Sequence, residues 1–197
     1  MVRKAIMEHS DKSSSEWSVQ LPHKPTRFHV ENMPVGNYIV IPEVSSEKRR
    51  YVPMGYMDDS VLCSNKLRLM PNASLYHFGV LTSNVHMAWM RAVCGRLEMR
   101  YDYSIKIVYN NFPWPSPDDP VKARIEQTAQ AILDARALYP DCSLADLYDE
   151  VTMPPELRKA HQQNDKAVMQ AYGFWGKLNT ETECVAELMR MYQELVK

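Results

Sequence analysis

Asn110-Asn111-Phe112-Pro113-Trp114-Pro115-Ser116-Pro117 carries three prolines at alternate positions, a pattern that neither a helix interior nor a central strand accepts. Each proline lacks the backbone donor that a ladder needs and holds its predecessor in extended backbone. The segment therefore reads as a rigid extended linker. It divides the 197-residue chain into two parts with different hydrophobic periods.

Upstream, the signals are those of strands and turns. Gly36-Asn37 marks a turn before Tyr38-Ile39-Val40-Ile41, a β-branched and aromatic run. Tyr51–Tyr56 reads as a second extended piece, and Pro53 places it at an edge or bulge. Val61-Leu62-Cys63 and Leu67–Met70 flank Ser64-Asn65 and predict a hairpin, which Pro71-Asn72 ends. Residues 74–94 change to helical spacing through Leu75, Phe78, Leu81 and Val85, with Gly95 as the stop. Arg96–Tyr103 alternates charged and apolar residues, and Ile105–Tyr109 reads as another strand. Residues 1–22 are polar around Asp11-Lys12-Ser13-Ser14-Ser15-Glu16 and predict a weakly ordered segment, with a short edge strand possible over Trp17, Val19 and Leu21.

Downstream, everything is helical. Asp119 can cap a helix opened by Pro120, with Val121, Ile125, Ala129 and Ile132 on its apolar face. Ser143 with Asp146 caps a short helix. Pro154-Pro155 fills the first turn of a third helix that Gly173 stops, and Thr180-x-x-Glu183 is a capping box for a fourth. The expected architecture is α+β. A mixed, strand-rich domain with one or two packed helices covers residues 23–110, a Pro-rich linker 111–118, and a small all-α bundle 119–197.

The composition is that of a globular chain, with 45% apolar and 24% charged residues. Its net charge of -1 conceals segregation. Residues 1–117 hold 14 Lys/Arg against 10 Asp/Glu, a net of +4, while residues 118–197 hold 9 against 14, a net of -5. A basic strand-rich part points toward nucleic acid. No G-x-G and no G-x-x-x-x-G-K-[ST] occurs, so a glycine-rich nucleotide loop is excluded. Cys63, Cys94, Cys142 and Cys184 are dispersed, with no C-x-x-C pair for a metal site, which fits buried free thiols in a reducing compartment, with pairing in a secreted protein as the alternative. Met1–Gln20 has no apolar core of a signal peptide, and no apolar run approaches a membrane span. The expected setting is the cytoplasm, with no membrane partner.

Several residues are candidates for DNA contact. Lys48-Arg49-Arg50 follows Ser45-Ser46-Glu47, so three cations and two hydroxyls can meet a phosphate backbone. Lys66 and Arg68 share one side of an expected strand, with Leu67 and Leu69 on the other. Glu98 and Arg100 repeat that geometry. Glu accepts from the exocyclic amine of cytosine, and Arg donates twice to guanine, so one strand carrying both can read a C·G pair. As bare patterns, all three also fit an ordinary solvated surface. His77 and His86 lack metal spacing. Asn111-Phe112-Pro113-Trp114 resembles the Asn/Asp-Pro-Pro-aromatic motif of amino-methyltransferases, but Phe stands second. Asn111, Phe112 and Trp114 therefore read as a packed structural junction. No nucleophilic triad and no nuclease pattern is present, so no catalytic residue is assigned.

Longer stretches carry a resemblance to one family. Ile41–Gly55, Pro71–Ser83, His86–Met90, Tyr103–Pro115, Leu144–Asp149 and Met153–His161 are similar to segments of the MmeI-like (Type IIL) bacterial DNA methyltransferases, from about residue 24 to the end. Members join an N-terminal nuclease, a helical spacer and an adenine amino-methyltransferase to a target recognition domain and a helical tail. The resemblance places this chain in the last two parts. It implies no cofactor in this chain, S-adenosylmethionine being used by the full-length enzyme. It also implies two partners: double-stranded DNA, and the methyltransferase domain of the same or a companion chain. Gly95-Arg96-Leu97-Glu98-Met99-Arg100 matches the segment in which a charged pair selects a base pair, and the strand around Lys66 resembles a second base-reading position. Asp102 stands where many relatives have Arg. The rival expectation is a protein-interaction module whose acidic helices dock on another chain without DNA contact.

Overall fold

Tyr38–Pro42 (β1) is the middle strand of a three-stranded antiparallel sheet, between Gly55–Met57 (β3) and Leu67–Pro71 (β4). Its four leading residues are apolar without alternation and are all buried, as a strand covered on both faces requires. Val44–Ser45 (β2) belongs to a second small antiparallel sheet, which is completed by Gly95–Leu97 (β5) and Arg100–Asp102 (β6) in the order β2-β6-β5. The computed structural model describes residues 34–197. The expected weak order of residues 1–22 and the strand at Trp17–Leu21 lie outside the described residues.

Between the sheets' strands run two helices, Leu75–Leu81 (α1) and Asn84–Val93 (α2). The sequence predicts one helix here. Thr82 and Ser83 split it, because their hydroxyls donate to the carbonyls of Phe78 and Val80 at 2.7 Å and Ser83 caps the next helix through the His86 amide. Four helices follow: Asp119–Ala137 (α3), Leu144–Leu147 (α4), Pro155–Ala171 (α5) and Glu181–Leu195 (α6). Their caps are local and follow the sequence signals, with two shifts: Asp118, not Asp119, accepts from the Val121 amide at 3.1 Å, and Pro154 is the N-cap residue, leaving Pro155 alone in the first turn. The class is the expected α+β.

Two expected strands are absent from the structure. Val61–Cys63 forms no strand, so the hairpin around Ser64-Asn65 does not exist. β4 pairs with β1 instead, from Tyr38↔Pro71 to Pro42↔Leu67. Val61 and Leu62 are exposed, so pairing them would bury little, whereas β1 offers a fully apolar partner. Ile105–Tyr109 forms one π-helical turn with only Val108 buried. Its carbonyls are satisfied locally. Asn111 Nδ2 donates to Lys106 and Ile107, each at 3.1 Å, and Trp89 Nε1 donates to Val108 at 2.9 Å.

Residues 34–197 form one compact unit with a continuous core running from Ile39 to Leu188. α1 lies against α3 so closely that a Cβ on Gly79 would sit 2.7 Å from Ile125 Cγ2 and 3.2 Å from Ala129 Cβ. Asn164 of α5 fastens this contact, donating to the Gly79 carbonyl at 2.7 Å while it accepts from Thr128 at 3.0 Å. The Pro-rich segment is therefore a packed seam rather than a free spacer. Phe112, Pro113 and Pro115 are buried, and the carbonyls of Pro113 and Pro115 accept from the hydroxyls of Tyr172 and Tyr76. Among the described residues, no helix is long and apolar enough to cross a membrane.

Candidate nucleic-acid interface

β5 and β6 form a hairpin with Arg96↔Tyr101 and Leu97↔Arg100 paired, leaving Glu98-Met99 as a two-residue loop. The expected single strand through residues 96–103 is thus folded back at Glu98, whose φ is +58°. Glu is an unusual residue there, since the left-handed region favours Gly or Asn. The turn changes which side chains share a face. Glu98 and Arg100 meet, with Arg100 Nη2 donating to Glu98 Oε2 at 2.8 Å. Leu97 and Met99 are exposed rather than buried, Met99 at 71%. The tip thus presents a carboxylate, a guanidinium and a thioether to solvent. Arg96 stacks over the Tyr101 ring at 4.3 Å and donates to the Met99 carbonyl, which stiffens the hairpin from the other side.

The Lys48-Arg49-Arg50 loop lies beside this sheet. It opens with a turn in which the Arg49 amide donates to the Ser46 carbonyl and the Lys48 amide donates to Ser46 Oγ, both at 3.2 Å. Tyr101 donates to the Glu47 carbonyl at 3.5 Å, a long contact. Lys48 and Arg50 are exposed and Arg49 is half-buried. Ser45 differs. It is buried in β2 opposite Tyr101, and its hydroxyl has no hydrogen-bond partner among the described residues. The loop forms one wall of a groove of about 520 Å³, with Arg91, Tyr101, Thr180 and Glu181 among the other lining residues.

Lys66 precedes β4 and is exposed, while Arg68 lies on β4 and donates to Glu43 Oε1 at 3.0 Å. Met70, not Leu67 or Leu69, is the β4 side chain that packs on the core, so the apolar face expected opposite the cations is only half-buried. Glu43 ties the two sheets together. Its amide donates to the Lys66 carbonyl at 3.1 Å and its carbonyl accepts from the Tyr103 amide at 2.7 Å.

Buried polar groups hold these surfaces from behind. Tyr51, next to the loop, donates to Asp165 Oδ2 at 2.6 Å, and Asp165 Oδ1 accepts from the Asn84 amide at 2.7 Å. Burial pushes the Asp165 carboxyl up to about 6, against the opposing pull of those two hydrogen bonds. Burial, with Asp165 alongside, likewise pushes the Tyr51 phenol up. His86 hydrogen-bonds the Tyr103 hydroxyl at 3.0 Å, and complete burial lowers it to about 3, so it is neutral. His161 pairs with Tyr148 at 2.6 Å, and burial holds it well below the usual histidine range. Neither histidine belongs to a metal cluster; among the described residues no three His, Cys, Asp or Glu side chains converge.

The side chains of the Asn111–Trp114 segment are engaged within the fold. The Asn111 amide is committed to two carbonyls. Phe112 is enclosed by the rings of His86 at 4.6 Å and Trp114 at 5.5 Å, with Trp89 and Tyr172 beyond.

Comparison with known proteins gives this geometry a context. Residues 2–116 match the family model described as MmeI, target recognition domain, and residues 117–197 match MmeI, C-terminal domain. The chain belongs to the MmeI family. DNA methyltransferase A of Bacillus subtilis (strain 168) is 36% identical over 189 residues, 96% of this chain and 21% of that protein. The Type IIL restriction-modification enzyme MmeI, solved in complex with DNA, superposes with a TM-score of 0.86 at 45% identity, over 99% of this chain and 26% of that one. The chain therefore spans 21% and 26% of the lengths of these relatives.

In MmeI-family terms, the hairpin and the Lys48–Arg50 loop lie in the target recognition domain, and Asp165 and Glu181 in the C-terminal domain. Sequence reasoning missed Arg91, Tyr101, Asp165 and Glu181. The available signal was slight: Arg91 is a lone cation in an apolar helical run, and Asp165 falls on the inner face of α5 beside Asn164.

Proposed function

We propose that this chain is the sequence-reading and non-catalytic C-terminal part of a DNA adenine amino-methyltransferase of a restriction-modification system. The observation that carries this reading is the β5–β6 hairpin, which displays Glu98 beside Arg100 at its turn, within the residues that match the MmeI target recognition domain. An acceptor and a donor 2.8 Å apart complement the edge of one C·G pair, where the cytosine amine donates and guanine N7 and O6 accept. Lys66 and Arg68 form a second base-reading group. Lys48, Arg49, Arg50 and Ser46 meet the phosphate backbone, and Ser45 supports that loop from inside the sheet. Methyl transfer from S-adenosylmethionine belongs to a methyltransferase domain in the same or a companion chain, and the setting is the cytoplasm.

A salt titration of duplex binding tests this reading. Phosphate contacts release counterions, so log K should fall linearly with log salt, by about 0.9 per contact. With three to five contacts, the expected slope is about -3 to -4.5. Absence of binding at low salt would favour a protein-interaction role for the acidic helices.

A further inference from the structure

One guanidinium joins three elements that the sequence keeps far apart. Arg91, near the end of α2, donates through Nε to Glu181 Oε1 at 2.7 Å and through Nη2 to Glu181 Oε2 at 2.8 Å. Its remaining terminal nitrogen, Nη1, donates to the Arg50 carbonyl at 3.1 Å. Glu181 is the first residue of α6, in the C-terminal domain, and Arg50 closes the basic loop of the recognition domain. The Arg91 side chain is 22% exposed and that of Glu181 50%, so the guanidinium is the shielded half of the pair. The fork is bidentate, and the third contact uses a donor direction that a lysine ammonium cannot supply along with the other two.

A second strut acts on the adjoining residue. Tyr51 follows Arg50, and its hydroxyl is held by Asp165 of α5. Two consecutive residues at the end of the loop are therefore fixed, one by its carbonyl through Arg91 and α6, the other by its side chain through α5. Glu181 has both carboxylate oxygens engaged by Arg91 and is thereby withheld from the loop's own cations across the groove. Among the described residues, no carboxylate pairs with Lys48, Arg49 or Arg50.

We infer that Arg91 is a positioning residue, through which the C-terminal domain sets where the Lys48–Arg50 cations meet DNA phosphates. The C-terminal domain is on this account part of the reading device rather than a passive tail. The inference rests on the DNA-reading function proposed above and adds to it a residue outside the contact surface.

The loop contains three trypsin sites, after Lys48, Arg49 and Arg50, so its restraint can be read without DNA. In the 197-residue chain, Arg91→Lys and Glu181→Gln should raise the rate of cleavage at those sites several-fold, with Arg91→Met larger still, while cleavage elsewhere is unchanged. In parallel, the slope of log K against log salt for a mixed-sequence duplex should become shallower by about 1 to 2 for Arg91→Lys, the loss of one or two aligned phosphate contacts. If Arg91→Met speeds cleavage at every site, it has lost its fold, and the two milder variants decide. Unchanged loop cleavage in folded Arg91→Lys and Glu181→Gln overturns the clamp, whatever the DNA assay shows. An altered loop with an unaltered salt slope overturns its role in DNA contact. A wild-type chain without salt-dependent binding overturns the DNA reading itself, even where the clamp holds.

Discussion

Tyr51 and Asp165, 114 residues apart, share a 2.6 Å hydrogen bond that links the recognition domain to the C-terminal domain inside the protein. The bond has a pH consequence. Asp165 titrates near 6 in the folded protein against an ordinary value of 3.8. Between those values the folded state holds more protons than the unfolded one. This group's contribution to stability therefore falls as pH rises through that window and is most favourable below it. Keeping the carboxylate charged at neutral pH costs about 3 kcal/mol. Asp165→Asn removes the titration while keeping one acceptor. Wild type should gain on this variant, in urea midpoint, as pH drops from 7 to 4; parallel curves for the two proteins would remove Asp165 from the account.

The histidines act in the opposite sense. His86 is neutral in the fold, titrating near 3, whereas an unfolded histidine titrates near 6.5. Its stabilising contribution is complete above 6.5 and is lost as pH falls toward 3, by about 5 kcal/mol in all. His161 adds a loss of the same sign. The net result is a chain that weakens in acid despite Asp165. His86→Gln, which does not titrate and can still reach Tyr103, should be less stable at pH 7 but show a shallower acid limb. An acid limb as steep as that of the wild type would show that His86 is not its source.

Gly79 sets the distance between α1 and α3. In Gly79→Ala the new methyl group meets Ile125 Cγ2 at 2.7 Å, and Ile125 is β-branched and fully buried, so it has no free rotamer to retreat into. The expected destabilisation is about 1–3 kcal/mol, the usual cost of overpacking. It should also weaken the Asn164 bond to the Gly79 carbonyl. Thermal unfolding checks the magnitude. An unchanged midpoint would mean that the helices part at no cost.

What the sequence reveals here follows from how local each cause is. The capping boxes at Ser143 and Thr180, the Pro-opened helices and the Gly173 stop depend on residues within four positions of one another, and all are present. The two family matches meet at residues 116 and 117, inside the Pro-rich segment. The sequence points to a packed junction at Asn111, Phe112 and Trp114, but not to the partners of the proline carbonyls, Tyr76 and Tyr172, which lie 39 and 59 residues from them. The same holds for Arg91 and Glu181, 90 residues apart. The hairpin turn was hidden for another reason. Alternation through Leu97, Glu98, Met99 and Arg100 imitates a continuous strand, and Glu gives no turn signal at a position where Gly or Asn would have announced one.

That left-handed Glu98 makes a sharp trade-off testable. Glu98→Gly relieves the backbone cost and should stabilise the hairpin by about 1 kcal/mol, while removing the acceptor offered to a cytosine amine. The ion pair it also removes is exposed on both sides and worth little. Hydrogen exchange of the β5–β6 amides should slow, and duplexes differing at the base pair proposed for Glu98 and Arg100 should be bound alike. Faster exchange would show that the turn is not strained.

Exchanging the pair should redirect the reading instead of abolishing it. With Glu98→Lys and Arg100→Asp, donor and acceptor change places along the tip. The C·G edge then faces like groups, whereas the G·C edge finds complements. A correct polar pairing at one base is worth about 1–3 kcal/mol, so preference at that position should invert by about ten-fold or more. Each single exchange places two like charges at the tip and should lose preference without gaining a new one. The readout is the set of sites methylated when the double variant is carried in the full-length methyltransferase proposed above. A double variant that still modifies the original sites at the original rate would remove Glu98 and Arg100 from base reading and leave the hairpin as scaffold.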